Sequence, residues 1–280
     1  MAKRFWMGLL LATCVGAAAA AGGPGGVRKQ VESSMLVKGT IDLHPDGRVA
    51  GYALDNPNAV PEGIAGMIAR AVPQWRFEPV KVDDGATRGR ASMSLRIVAR
   101  KMDSGDFSVE IRAAQFGQDR PGEAVTGVKL SPPRYPEKAA VGGVGGTVYT
   151  VVKIGRDGRV EDAVAEQVNL RVISSENARG QWRDVLAKAA LRAAKTWTFS
   201  PPTRGEAVDE PYWSARVPVD FVAPDKRPAK DGQWEAYVPG PSSSIPWSTG
   251  DTASSADALP AGGVYPVGSG PRLLTALKAP

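Results

Sequence analysis

The sequence predicts an α+β fold with two tandem small domains, each an antiparallel sheet of about three strands packed against a helix. A pattern that occurs twice carries this prediction. The segment DGRV stands at 46–49 and again at 157–160, and WxFxP stands at 75–79 and again at 197–201. In each copy a Gly-Thr leads an alternating strand before the first landmark. We infer two copies of one unit, with a loop insertion between the landmarks of the second.

The first copy is expected to span 37–101 in the order strand, strand, helix, strand. Its opening residues alternate between polar and apolar, and a Pro-Asp-Gly turn follows, which predicts a hairpin. A helix should begin at Pro61, with an apolar face that extends to Trp75, and Pro73 should fray its end. The strict alternation over 91–97 predicts a closing strand with one buried face.

The second copy is expected to span 131–222 in the same order. A Tyr-Pro lead-in and a short helix over 137–141 precede its first strand, and the apolar stripe from Trp182 to Trp197 predicts the strongest helix of the chain. The last strand alternates. It should place Trp213, Ala215, Val217, Val219 and Phe221 on one face and Ser214, Arg216, Pro218 and Asp220 on the other.

The segments outside the two copies have different compositions. Residues 22–36 are expected to be a short lead-in, and 102–130 a linker with an extra strand over 106–115 that could cover the edge of the first sheet. Residues 223–280 are rich in Pro, Ser and Gly, which predicts a disordered tail. The alternative for the tail is that 233–238 or 264–267 docks on a domain.

Residues 1–21 are typical of a cleavable export signal, because a basic start, an apolar run and small residues follow one another. We therefore expect a periplasmic protein. The alternatives are lipidation at Cys14 and an uncleaved anchor in the inner membrane, although the apolar run is short against the roughly 20 residues of a spanning helix. Cleavage would remove the only cysteine and with it any disulfide or thiol chemistry.

The sequence predicts no catalytic site, no metal site and no cofactor. The one histidine, His44, stands in the first turn, and there is neither a Ser-x-x-Lys motif nor a metal-ligand spacing. The glycines of 142–146 lack the spacing of a phosphate loop. The lysines and arginines behind the net charge of +6 are interspersed with acidic residues, so nucleic acid is not expected as a ligand. No small-molecule substrate is expected either.

Seven residues of the second copy together resemble a known family, the C-terminal domain of TonB-family energy transducers. They are Tyr135, Pro136, Asp157, Gly158, Trp197, Phe199 and Pro201. The first copy is a more divergent match without the Tyr-Pro lead-in. The resemblance implies a small antiparallel sheet backed by a helix and a non-catalytic role in binding.

TonB-family domains contact outer-membrane transporters by pairing the last strand of the sheet with an extended partner segment. Carried onto this chain, the partner-binding edge strand consists of Trp213, Ser214, Ala215, Arg216, Val217, Pro218, Val219, Asp220 and Phe221. Because proline lacks a ladder donor, Pro218 should turn its nitrogen away from the neighbouring strand. We expect the first copy to be capped internally and the second to be the adaptable one.

A full transducer also has a membrane helix with a functional histidine and a long proline-rich spacer, and this sequence shows neither in its first 36 residues. Apart from these two differences, the resemblance implies a periplasmic protein that binds a protein partner by strand addition in TonB-dependent outer-membrane transport. The alternative is a cell-envelope scaffold that binds peptidoglycan or a structural partner without energy transduction. Self-association through strand edges is a further expectation.

Overall fold

The computed structural model describes residues 32–82, 85–117, 120–172, 174–248 and 256–277. The predicted signal at 1–21, Cys14 and most of the lead-in lie outside them. The elements are β1 (Glu32–Leu43), β2 (Val49–Leu54), α1 (Glu62–Ala71), β3 (Gly89–Lys101), β4 (Phe107–Gly117), β5 (Thr126–Lys129), α2 (Glu137–Val141), β6 (Gly146–Ile154), β7 (Val160–Leu170), α3 (Glu176–Ala194), β8 (Thr198–Ser200), β9 (Trp213–Phe221), β10 (Glu235–Tyr237) and β11 (Tyr265–Pro266).

The first unit is a five-stranded antiparallel sheet backed by α1. Its order is β10-β1-β3-β4. One edge of β1 pairs with β10 near its start and with β2 near its end. The alternation of β3 turns Met93, Leu95 and Ile97 towards Ile64 and Ile68 of α1 in one apolar core. The helix ends at Ala71, and a short 3-10 turn that contains Pro73 follows it. Trp75 comes directly after this turn and completes the core.

The second unit is a four-stranded antiparallel sheet in the order β11-β9-β6-β7, backed by α3. The helix begins with Glu176 in its first turn and carries Arg192 in its last, charges that suit the two ends of the helix dipole. Leu186 and three alanines of α3 are buried against the inner faces of β6, β7 and β9. Trp197 is buried in the same core just past the end of the helix.

The mixed α+β class with antiparallel sheets agrees with the prediction, and several differences are local. β1 begins at Glu32, inside the segment predicted as lead-in, because its first residues pair with both β10 and β3. β4 forms the predicted extra strand and covers the edge of β3. The linker also contains β5, which the sequence did not indicate and which pairs with β8.

The prediction that residues 223–280 are disordered is wrong for the tail segments that dock on the two sheets. β10 pairs with β1, and β11 pairs with β9, so both segments named in the alternative are docked. Tyr237, Val238 and Ile245 are buried, as are residues 256–259. The tail gains order from backbone pairing and a few anchoring side chains, neither of which its Pro, Ser and Gly composition reveals.

The tail also fills the space between the helix-free faces of the two sheets. Arg96 of β3 donates from Nε to the backbone oxygen of Asp257 at 3.0 Å and from Nη2 to the hydroxyl of Tyr149 in β6 at 3.3 Å. The Asp257 carboxylate accepts from Asn169 at 2.5 Å and from the Tyr237 hydroxyl. The buried tail residue Asp257 therefore connects the two sheets through its backbone oxygen and its carboxylate. Within the described ranges, none of the helices is long and apolar enough to cross a membrane.

Candidate protein-binding edge

β9 is the last strand before the tail begins, and it lies between β6 and the short tail strand β11. Its inner face carries the five predicted apolar residues into the core beneath α3. Its pairing with β6 is continuous from Gly146 opposite Phe221 to Ile154 opposite Trp213. One edge of β9 is thus fully satisfied, and the other is the edge that the resemblance assigns to a partner.

That outer edge is occupied between Ser214 and Pro218 by the tail of the same chain. Tyr265 pairs with Arg216 in antiparallel register, and the Val267 N–H donates to the Ser214 carbonyl at 2.8 Å. Gly262 donates in the same way to the Pro218 carbonyl at 3.3 Å. The predicted partner-binding residues therefore already carry an added strand, which the chain itself supplies.

Pro218 has the orientation that its missing N–H requires. It stands opposite Tyr149 of β6, and its carbonyl points away from β6 to accept from Gly262. In an antiparallel strand, the N–H and C=O positions of one residue point to the same edge. The missing donor of Pro218 therefore faces the outer edge. The ladder with β6 therefore loses nothing to the proline, and an added segment meets an edge with one donor fewer.

The helix-free face of β9 is buried as well, which the sequence did not predict. Arg216 is only 2% exposed, and its Nε and Nη2 donate to the two carboxylate oxygens of Glu166 on β7 at 2.6 and 2.8 Å. A paired arrangement of this kind is what allows a guanidinium to remain charged in a buried position. The tail binds the backbone of the same residue, since the Ser243 N–H donates to the Glu166 carbonyl at 2.7 Å.

An open cavity of about 490 Å³ lies at the start of β9. Tyr212, Trp213 and Trp247 contribute aromatic walls, and Val267 of the tail closes one side. Trp247 donates from its indole nitrogen to the Ser214 hydroxyl at 2.9 Å, and Tyr212 donates to the Trp247 carbonyl at 2.6 Å.

The residues of the family motif form contacts that hold the second unit together. The Tyr135 hydroxyl, whose pKa is raised by burial, donates to the Val144 carbonyl at 2.6 Å. The Trp197 indole donates to the Ser131 carbonyl at 2.8 Å. Pro136 precedes the first turn of α2, and its carbonyl accepts from Ala140.

The remaining motif residues shape the turn after β6. The Asp157 carboxylate accepts from the Arg159 N–H at 3.0 Å. Gly158 has a φ of +76° and accepts at its carbonyl from the Phe199 N–H at 2.8 Å. A Cβ built on Gly158 would lie 3.7 Å from Pro201. Each of these contacts has a structural role, and none presents a reactive group.

Among the residues that the structure describes, no group of three or more His, Cys, Asp and Glu side chains could hold a metal ion. The signals that sequence reasoning missed are Glu166 and Asp257, single acidic residues that become meaningful only beside Arg216 and Arg96. The aromatic residues scattered through the tail were the one sequence signal that it docks.

Comparison with known families gives one result for this chain. Residues 131–222 match the family model of the Gram-negative bacterial TonB protein C-terminal domain, which confirms the predicted resemblance for the second unit. The match leaves the first unit outside its bounds. No curated protein and no solved structure matched the chain. TonB C-terminal domains are non-catalytic protein-interaction domains of the periplasm, so the match suggests a TonB-like periplasmic protein.

Proposed function

We propose that this chain is a periplasmic, TonB-like binding protein that recognises an extended segment of a protein partner by strand addition to the outer edge of β9, in TonB-dependent outer-membrane transport. The observation that carries the proposal is the occupied edge itself. The carbonyls of Ser214 and Pro218 accept hydrogen bonds from an extended segment of this chain. An edge that accepts one antiparallel segment has the geometry to accept another of similar shape.

The choice of β9 over the other strand edges has two supports. The matched region ends with β9, the strand that partners pair with in this family. In the first unit, the strand equivalent to β9 is β3, and it is covered on one side by β1 and on the other by β4. At β9 a partner segment meets only the short β11, whereas β3 is paired with β4 from Ser92 to Lys101.

We further infer that the first unit is a divergent copy of the second. Gly47 and Gly158 occupy equivalent turns, and both have a positive φ. The carbonyl of each accepts a hydrogen bond from the phenylalanine N–H of the WxFxP segment in its own unit. The first unit lacks the tyrosine and proline that lead into the second. Its role in this proposal is to hold the tail, since β10 and the segment near Leu273 both pair with it.

Site-specific photocrosslinking of the full chain tests the proposed function. A photoreactive amino acid at Pro211, exposed next to the start of β9, should form an adduct when the protein is mixed with a purified Gram-negative outer-membrane fraction. Mass spectrometry should place the linked peptide in an extended periplasmic segment of a transporter. The same group at Lys188, exposed on α3, is the control and should give no such adduct.

The alternative function predicts a different result. A cell-envelope scaffold would be retained on purified peptidoglycan and would give no transporter adduct from position 211. Equal adducts from positions 211 and 188 would also contradict the proposal, because they would show contact without use of the β9 edge.

A further inference from the structure

We propose that residues 262–267 of the tail, here called the strap, are an intramolecular occupant of the β9 edge that a partner segment must displace. The proposal rests on the proposed function of that edge and adds its regulation. In this proposal the tail competes with the partner for the edge, and the strap pairs with β9 in the way that a bound partner segment would.

The strap uses the backbone groups that an added partner strand would need. Val267 and Gly262 donate to the carbonyls of Ser214 and Pro218, and Tyr265 pairs with Arg216 between them. No second segment can form these bonds while the strap is in place, because each outer-edge carbonyl already has its donor. Binding of a partner strand and binding of the strap are therefore mutually exclusive over 214–218.

The strap is held less firmly than the chain on either side of it. Upstream, residues 256–259 are at most 5% exposed, and they include Asp257 with its buried contacts. Downstream, Leu274 donates to the Arg76 carbonyl at 2.8 Å, and the Arg272 carbonyl accepts from Glu78 at 2.9 Å. The strap itself contains no residue from the buried core, and its side chains are half-buried or exposed. It can leave the edge while both flanking segments stay bound.

Glycines stand at the points where the strap would pivot. Gly262 has a φ of +84°, and Gly268 and Gly270 have φ values of +78° and +93°. These conformations favour glycine, and glycine leaves the backbone free to change them at little steric cost. Because the flanking segments remain attached, a released strap would stay near the edge at an effective concentration on the order of millimolar. Partner binding would thus be reversible by recapture of the strap.

The side chains of the strap indicate the chemistry of the segment that replaces it. Val264 packs against the core on the α3 side of the sheet, whereas Tyr265 packs with Tyr149 and Leu259 on the opposite side. The strap carries no charged residue. The competing segment should therefore be extended and uncharged, with an aliphatic residue followed by an aromatic one at these two positions.

A labelled peptide tests the proposal without knowledge of the partner. The probe is a fluorescein-labelled peptide with the sequence of residues 260–269, and its binding to the full chain is followed by fluorescence anisotropy. Val267→Pro removes the donor to Ser214 and should raise the affinity for the probe about tenfold, because one backbone hydrogen bond of the competitor is lost. Val267→Ala keeps the N–H and is the matched control, with affinity within about threefold of the unchanged protein.

A reversible lock provides an independent arm. Val267 lies directly opposite Ser214 by continuation of the register, so the pair S214C/V267C, in a chain with Cys14→Ser, should form a disulfide that fixes the strap. The oxidised protein should bind no probe, and reduction should restore the affinity of the reduced pair. Equal probe binding by the unchanged, V267P and oxidised proteins would overturn the proposal.

The two proposals can fail separately. If the probe behaves as expected but position 211 never crosslinks to a transporter, the strap competes for the edge and the proposed partner class is wrong. If the transporter adduct forms equally in the unchanged and V267P proteins and the probe shows no difference, the edge binds its partner and the regulation by the strap is wrong.

Discussion

The backbone N–H of Phe199 donates a 2.8 Å hydrogen bond to the carbonyl oxygen of Gly158, so the WxFxP segment is fastened to the DGRV turn. Phe77 and Gly47 make the same bond at 2.9 Å in the first unit. A Cβ on either glycine would lie within 2.1 Å of the phenylalanine carbonyl oxygen. The two sequence landmarks are therefore in direct contact in each unit, and this contact requires glycine.

Gly158→Ala should lower the free energy of unfolding by about 2–4 kcal/mol, because the new methyl group adds a clash to a positive-φ conformation. Gly47→Ala should have a similar effect through the first unit. Gly180→Ala is the control, since this glycine lies inside α3 with open space around it, and alanine there should stabilise by up to about 1 kcal/mol. Urea unfolding measures all three, and an unchanged midpoint for Gly158→Ala would refute the packing argument.

Glu166→Gln should destabilise the protein by about 3–5 kcal/mol, because it leaves the Arg216 guanidinium charged and buried without its counter-ion. Replacing both residues, with E166L and R216M, should recover much of the loss since no buried charge remains. Glu161→Gln breaks an exposed pair with Lys153 and should cost less than about 1 kcal/mol. Thermal unfolding of the four proteins checks the order, and equal losses for the two single variants would contradict it.

Asp257→Ala should release the tail from both sheets. The change removes the carboxylate that accepts from Asn169 and Tyr237 and leaves Arg96 without its nearby charge. Hydrogen exchange followed by mass spectrometry should show faster exchange in residues 235–238 and 256–259. Asp231→Ala removes a partly exposed tail carboxylate paired with Lys38 and serves as control. Unaltered exchange in Asp257→Ala would show that other contacts hold the tail.

The stability of the protein should fall at alkaline pH because of its buried tyrosines. Burial raises the pKa of the Tyr149 and Tyr237 hydroxyls above their ordinary value of about 10. Since the raised value belongs to the folded state, the unfolded chain releases these protons first, and stability that is present below pH ~10 is lost above it.

Tyr149→Phe should make this alkaline decline shallower by about 1.4 kcal/mol per pH unit, although it also removes the hydroxyl that contacts Arg96. Urea unfolding at several pH values from 8 to 11.5 measures the slope. A decline as steep as that of the unchanged protein would mean that Tyr149 ionises equally in both states.

Several features of this fold depend on local patterns and could be predicted from the sequence. The two Asp-Gly turns, the helix that contains Leu186 and the inward face of β9 follow from turn chemistry and from alternation with a period of two or 3.6. The TonB-like resemblance rests on the same local motifs and received independent support over residues 131–222. Arg216 could not be recognised as buried, because in the sequence it looks like any outward polar residue of an alternating strand.

By itself, the sequence determined the main strands and helices of the two units and which face of each strand turns towards a helix, since these depend on neighbours within a few positions. Only the tertiary structure decided what covers the opposite faces and the outer edge of β9. Those contacts join residues far apart in the chain, such as Asp257 to Tyr149 and Tyr265 to Arg216. On the tail side many of them use backbone groups, which residues of almost any type supply, so the sequence of the tail carries little trace of its binding site.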